Sequence, residues 1–475
     1  MPHFNGIDLR KWVIVEDKTR SLAPPIYNDL VEVPATNGAY QSGQRLGVRQ
    51  IAIPVTFIGT NRADWMLKAK HFIGHILTNE PKPLWFSDEP DVYYNAILSG
   101  DTNLEEFVQY GRTTLLFVCA DPFKYDTQET KVNLNDGSTT VHYDGTYETK
   151  PRFKITFNQP VTHFEIKNHL NERILLGKPA AMTDTIVDPE ELVFMDTMNS
   201  TSNWVLPDSV DNGYLEGEMS SSGGRFYPSL YGVGISPRAW QGPSLKRSIG
   251  ASLQDFRVDV LVNLENVGFE TGMMEVYLLD ANNVTVAKIG VEDIWQNVAQ
   301  VQGKFQLGPI NNRMNMYALP DIKTGWNNYD GILRIVRVGN EFRPYWAKID
   351  QNGNHNWVLS QRRYVDYDSR YANRITQIQL AARIWPSTAP SQQSFKEIKV
   401  FRLNQAQNDS QVANIAQTGD VIEIDTATQS IRKNGEVFLI NDLSSEFFSL
   451  FRGENVLDVT PGVAEVEMSY ERRWL

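Results

Sequence analysis

In residues 152–168, RFKITFNQPVTHFEIKN, apolar and polar side chains take turns along two successive short runs. A period of two suits only a strand with one face buried and one face wet. The same alternation returns in RQIAIPVTFIG (49–59), DFRVDVLVNLENV (255–267), GILRIVRVGNEFRPYWAKI (331–349) and EIKVFRL (397–403). Val, Ile, Phe and Tyr fill these runs, and Gly, Asn, Asp and Pro separate them. The pattern predicts a mainly β chain built from short strands in sandwiches.

One segment breaks the rule. NRADWMLKAKHFIGHILT (61–78) has Asn61 placed as an N-cap, with Trp65, Ala69, Phe72, Ile73 and Ile76 on one helical face. His71 and His75 are four apart, the spacing of a two-histidine metal pair. Both fall opposite the apolar stripe with no third ligand in view, so a solvated helix face is expected and no metal is assigned.

Charge and cysteine content narrow the function. The formal net charge is −12, the wrong sign for a nucleic-acid binder, which needs a surplus of Lys and Arg. More than half of that charge lies in residues 405–475, which suits a basic neighbour or solubility. Cys119, the single cysteine, sits in the apolar run TTLLFVCAD and reads as a buried small hydrophobe. No 18-residue apolar run exists and the start MPHFNGIDLRKW lacks a secretory pattern, so a soluble chain made in a cytoplasm is expected, with no membrane partner.

Composition changes at 121–151, 177–192 and 403–419, each polar or turn-rich. Between the last two lie seven of the eleven tryptophans: Trp204, Trp240, Trp295, Trp326, Trp346, Trp357 and Trp385. The runs that bound this segment, LVFMDTM and FKEIKVFRL, both alternate. If they pair, the segment's ends meet, as an inserted domain requires.

Five stretches of the first 125 residues, in order, resemble the N-terminal belt domain of distal tail proteins of long-tailed bacteriophages. They are FNGIDLRKWVIVED at the start, RSLAPPI (20–26), VEVPATNGAY (31–40), WFSDEPDVYYNAILSG (85–100) and LLFVCADPFKY (115–125). GDVIEIDTATQSIRKNG, INDLSSEFFSLFRGEN and the terminal AEVEMSYERRWL resemble the same family's galectin-like domain. The resemblance implies a belt domain (1–125), a discontinuous galectin-like sandwich (126–187 plus 405–475) and an insert (188–404). ILRIVRVGNEFRPYWAKIDQNGNHNWVL (332–359) and RAWQGPSLKRSI (238–249) resemble concanavalin-type, jelly-roll sandwiches of the kind carried as carbohydrate-binding modules. The resemblance further implies a homo-oligomeric, hexameric ring at the virion's tail tip, joining a tail tube protein to a tail-tip hub protein. The hairpin-like stretch 30–55 is the expected reach to a neighbour, with Tyr40, Arg45 and Arg49 as interface residues.

Glu423 and Asp425 in GDVIEIDTATQSIRKNGEVF share a strand face, as do the acids of an E-x-D-x-x-E glycosidase strand. The third acid is missing, and Asn434–Gly435 marks a hairpin turn. Solvated hairpin acids are expected, and no catalytic residue is assigned. Gly232–Val233–Gly234 lacks the third glycine of a dinucleotide loop, so no cofactor is expected either.

Sugar recognition needs aromatic platforms beside hydroxyl-reading polar groups. Trp326 in TGWNNYDG, with Asn328 and Tyr329, Trp357 in NGNHNW, and Trp240 all lie in loop-like contexts and are the expected sites. Trp346 and Trp385, in alternating runs, read as core. Tyr364, Tyr367 and Tyr371, among Arg362, Arg363, Arg370 and Arg374, form a second cluster suited to an anionic polymer. The reading is a structural ring subunit, not an enzyme, whose insert binds host cell-wall polysaccharide. A purely structural insert and a polysaccharide-cleaving insert remain the alternatives.

Overall fold

The computed structural model describes every residue except 35–36, 236, 267, 405–410 and 439–444. Part of the 403–419 connector, and residues 440–444 of the INDLSSEFFSLFRGEN motif, therefore lie outside the described residues. Among the described residues strands dominate, and one α-helix, Arg62–Ile76, stands among them. The chain divides into two compact units: residues 1–177, 416–432 and 438–475 form the first, and 178–415 with 433–437 the second.

In the first unit, strands Arg49–Ile58 and Tyr110–Cys119 pair antiparallel over ten residues, with Glu89–Ser99 on the far side of Tyr110–Cys119. Their alternating side chains bury Ile51, Ile53, Val55, Leu115 and Phe117, along with Cys119. Burial pushes the Cys119 thiol up to about 12, so it is a packing residue. The helix adds Trp65, Phe72 and Ile76 to the same core. Its start is set by Asn61, whose Oδ1 accepts from the Asp64 amide at 3.1 Å.

A second pair of sheets in this unit draws on both ends of the sequence. Thr130–Leu134, Ala464–Tyr470, Arg152–Phe157 and Val421–Asp425 are consecutive neighbours in one sheet. Gly137–Tyr143, Gly453–Thr460, His163–Asn168 and Arg173–Gly177 make the other. The final strand, Arg473–Trp474, pairs with Lys124–Asp126. There Arg473 lies 4.1 Å from the Phe123 ring, within 5.5 Å of the Tyr125 and Tyr147 rings, and 3.2 Å from Asp121.

The second unit is a sandwich of two antiparallel sheets. One runs Phe226–Leu230, Gln392–Leu403, Phe256–Glu265, Tyr329–Val338, Glu341–Ile349, with shorter strands at each edge. Gln392–Leu403 also pairs with Glu190–Asp196, so the runs LVFMDTM and FKEIKVFRL lie side by side. The other sheet runs Ser244–Leu253, Ile375–Arg383, Gly272–Leu279, Thr285–Asp293, Gln302–Leu307, Met314–Ala318. The inward positions, among them Val258, Val260, Ile335, Ile398, Val276, Ile289, Phe305 and Leu380, form one core. Trp346 crosses it, its Nε1 donating to the Gly290 carbonyl at 3.0 Å. Gly303 has no side chain because none fits: a Cβ there would stand 2.7 Å from Trp346. Short strands Thr185–Val187 and Gln411–Ala413 run parallel and paired near the two ends of this unit's long segment, 178–415.

Candidate functional site

Alternation along the six-stranded sheet sends half its side chains outward. On Gly272–Leu279 these are Met273, Glu275 and Tyr277; on Thr285–Asp293 they are Lys288, Gly290 and Glu292. Gln302, Lys304 and Gln306 follow on the next strand, with Gln379 and Arg383 on the other side. Outward polar side chains on a sandwich are ordinarily wet. Here Glu275, Tyr277, Lys288, Glu292, Gln306, Gln379 and Arg383 are all buried.

For all of these but Glu292 the cover is a roof, residues 208–215, held by its Asp211. Asp211 Oδ2 accepts from Lys288 Nζ at 3.0 Å and Gln306 Nε2 at 2.9 Å, and its carbonyl accepts from Arg383 Nη1 at 2.7 Å. Beneath it, Glu275 pairs with Arg383 and, at 3.0 Å, with Lys288, and accepts from the Tyr277 hydroxyl at 2.8 Å. Burial pulls the Glu275 carboxyl upward, but Arg383 and then Lys288 outweigh it and hold it below its ordinary value.

Beyond the roof the same sheet face opens into a cleft of about 540 Å³, within the range of roughly 300–1,000 Å³ typical of small-molecule sites. Trp240 and Trp385 stand edge to face at one end, 5.9 Å between ring centres. Trp385 is fixed by its turn: its amide donates to Thr271 Oγ1 and its carbonyl accepts from Thr388 Oγ1. Trp295 forms a side wall and is 51% exposed; Tyr317, at the other end, is 52% exposed. The floor is Met273, Glu292 and Lys304. Glu292 Oε1 accepts from Gln302 Nε2 at 2.8 Å, and Lys304 Nζ lies 3.9 Å from its other oxygen. Burial raises the Glu292 carboxyl above its ordinary value, with Lys304 and Gln302 pulling the other way. The cleft therefore offers flat apolar faces, one carboxyl, one ammonium and an amide in a partly dry recess, suited to a ligand with both CH faces and hydroxyls.

Of the residues expected from sequence, only Trp240 lines this cleft. Trp326 is fully buried, between Tyr329 and Trp346, its Nε1 donating to the Trp357 carbonyl at 2.9 Å. Tyr329 is buried too, its hydroxyl donating to the Ile332 carbonyl. Their loop keeps its polar backbone at the surface and turns its rings inward, so neither is a platform. Asn328 is exposed at φ +51°, but its amide oxygen accepts from the Asn266 amide in a reciprocal pair. Trp357 is exposed and lies against Gly325, away from the cleft lining. Tyr364 is half-buried edge-on against buried Tyr371, while Tyr367 projects into solvent. Trp385, expected in the core, is instead a cleft wall, because its strand ends at Arg383. Trp295, Tyr317, Glu292 and Lys304 went unmarked in the sequence; Trp295 alone carried a signal, an aromatic just past the end of an alternating run.

In the first unit, Tyr40 is 64% exposed and Arg45 lies over the Tyr27 ring at 5.0 Å. Arg49 is a correction. It is fully buried, donating to the Pro122 and Ser21 carbonyls at 2.8 Å, and is spent inside the fold. Glu423 is exposed, and Asp425 accepts from the Ala427 and Thr428 amides, so these acids serve a hairpin. His71 and His75 are both exposed. Among the described residues no three His, Cys, Asp or Glu are grouped to hold a metal, and no helix is long and apolar enough to cross a membrane.

Two family descriptions match the chain: a phage tail protein RIFT-related domain over residues 7–119, and a siphovirus-type tail component C-terminal domain over residues 383–474. The distal tail protein of Bacillus phage SPP1 is 22% identical over 165 residues, which are 34% of this chain and 65% of that protein, so the chain spans just under two thirds of that relative. The crystal structure of the SPP1 protein, described as a paradigm of hub adsorption apparatus in Gram-positive-infecting phages, is similar over 37% of this chain and 74% of that one (19% identity, TM-score 0.35). The CBM2 module of the evolved Dit of Lactobacillus casei BL23 phage J-1 is similar over 47% of this chain and all of that one (16% identity, TM-score 0.40). The laminarinase of Rhodothermus marinus is similar over 46% and 98% (14% identity, TM-score 0.31). With a tail-protein match at each end of its sequence and a distal tail protein among its relatives, the chain is a mainly β, Dit-like component of a siphophage tail.

Proposed function

We propose that the second unit, an insert within a galectin-like sandwich, binds a cell-wall saccharide of the bacterial host. The first unit serves as a ring subunit at the tail tip, between tail tube and hub. One observation carries the binding reading: three tryptophans and a tyrosine surround an open cleft whose floor holds a buried carboxyl and an ammonium. A sandwich of this size needs no solvent-facing tryptophan pair for its core, which Trp326 and Trp346 already fill. Glu275, the other carboxylate of this face, is spent in ion pairs under the roof, which favours holding a saccharide over cleaving one. For the ring, the hairpin Ile26–Glu32/Ala39–Leu46 exposes Ile26, Leu30, Val31 and Tyr40. A bare two-stranded ribbon is marginal in water, and Tyr40 and Arg45 suit contact with a neighbouring copy.

The test is co-sedimentation of the full chain with purified host cell walls. Wild type is retained, and Trp385→Ala and Trp295→Ala each weaken retention about tenfold, or about 1.4 kcal/mol. Equal retention of wild type and both variants moves the site elsewhere. No retention of a folded wild type leaves the insert as structure alone.

A further inference from the structure

The cleft has a direction. Strand register places Arg383, Met273, Glu292 and Gln302 in one row across the sheet, and Lys304 opposite Tyr317 in the next. From the Trp240–Trp385 end, a ligand lying in the cleft crosses Met273, then Glu292, then Lys304, and reaches Tyr317. Met314–Ala318, which carries Tyr317, is the edge strand of the sheet. Beyond it nothing in the sheet blocks the way.

Along the strands, Trp295 walls one side, and the roofed stretch of the sheet lies toward the other. At the far end stand Trp240 and Trp385. That end wall and the roof are one piece: Gly213–Leu215 of the roof pairs in parallel with Trp240–Gly242. Gly213 packs so tightly there that a Cβ would lie 2.1 Å from the Trp240 carbonyl oxygen. Gln241 in turn bridges to Ile384, beside Trp385. A strand pairing, a backbone bridge and the Asp211 bonds to three strands of the sheet together make the closed end rigid.

We propose that the cleft is a blind pocket that takes the terminus of a saccharide chain. The last sugar stacks against Trp240 and Trp385, and the rest of the chain leaves over Tyr317. A polymer read along its interior would need the cleft open at both ends, and the Trp240–Trp385 wall with its attached roof denies it that. The inference rests on the saccharide-binding reading above and adds which part of the polymer is held.

The experiment uses the full chain and polysaccharide released from walls that retain it. The polysaccharide is fragmented by mild acid and sized into pools, each tested as an inhibitor of wall retention at equal sugar mass. For a terminus binder, inhibition follows the number of chain ends, so a pool about one tenth as long inhibits about tenfold better per unit mass. Trp240→Ala, which lowers the wall, narrows that ratio between short and long pools. Inhibition per mass that stays level or falls as chains shorten overturns the blind-pocket inference and leaves saccharide binding standing. Absence of any wall retention overturns the binding reading, and this inference with it.

Discussion

Glu275→Ala tests whether the buried charges under the roof hold the second unit together. Glu275, Lys288 and Arg383 are each at most 2% exposed. Removing the carboxylate strands two cations where water does not reach. Breaking such a pair by deleting one partner costs about 3–5 kcal/mol. Asp211 still accepts from both Lys288 and Arg383, so the loss belongs near the lower figure, about 3 kcal/mol. For a unit of this size that lowers the midpoint by about 6–12 °C. The unit holds seven of the eleven tryptophans, so their fluorescence during thermal unfolding of the full chain reports it. Replacing Glu275 and Arg383 together by Met removes one carboxylate with one cation, leaves Lys288 paired to Asp211, and recovers part of that loss. The sign with pH follows from the depressed Glu275 carboxyl. Its contribution is complete above the ordinary value of 4.5 and is given up as pH falls below it, toward the folded value. A Glu275→Ala loss under about 1 kcal/mol would refute the reasoning, since it would mean the roof lifts and lets water reach Lys288 and Arg383.

Trp326→Ala removes a fully buried ring and should cost the second unit about 3–5 kcal/mol, while the folded protein keeps its wall retention; a variant that folds normally but no longer binds would return Trp326 to the site. Arg473→Ala takes a guanidinium from between three aromatic rings and Asp121; denaturant unfolding should show the first unit weaker by about 2 kcal/mol, and an unchanged midpoint would mean the last strand adds nothing. Asp88, held by Lys18 first and then Arg20, sits at about 2 against an ordinary 3.8. Its stabilisation is present above 3.8 and lost as pH falls through about 2, so Asp88→Asn should flatten the acid side of the first unit's stability profile, and a curve parallel to wild type would contradict this.

Alternation and capping were legible in the sequence because they are local. Val258, Val260 and Val262 face inward at every second position, as a one-sided strand requires, and the helix begins at Asn61 with its apolar face buried. The cleft is not local. Its residues come from a short strand at 240, strands at 273, 292, 304 and 317, and a turn at 385, and they meet only because the sheet places Ile375–Arg383 beside Gly272–Leu279. Loop composition also misled in a definite way. TGWNNYDG is polar enough to read as a surface platform, yet Asn327 and Asn328 bond the loop's neighbours and let Trp326 and Tyr329 turn inward. Trp385 misled in the opposite sense, since the alternating run before it gives no sign that the strand stops two residues earlier.

Near the two ends of the second unit's long segment, 178–415, Thr185–Val187 and Gln411–Ala413 lie side by side as a parallel pair. Segments whose two ends meet can be set into a host sandwich without parting its strands. Each unit also keeps its own core: Phe117, Trp65 and Leu84 belong to one, Val260, Phe305 and Trp346 to the other. Substitutions in the cleft therefore act on a surface carried by the second core alone. Changing Trp295 or Tyr317, both solvent-facing, alters what the cleft can stack against at little cost to stability, because neither fills the core beneath it. Trp240 and Trp385 are different, since altering them also disturbs the end wall that is tied to the roof. On the terminus-binding proposal, ligand identity is adjustable at the open side of the cleft, while the selection of chain ends rests on the walled end.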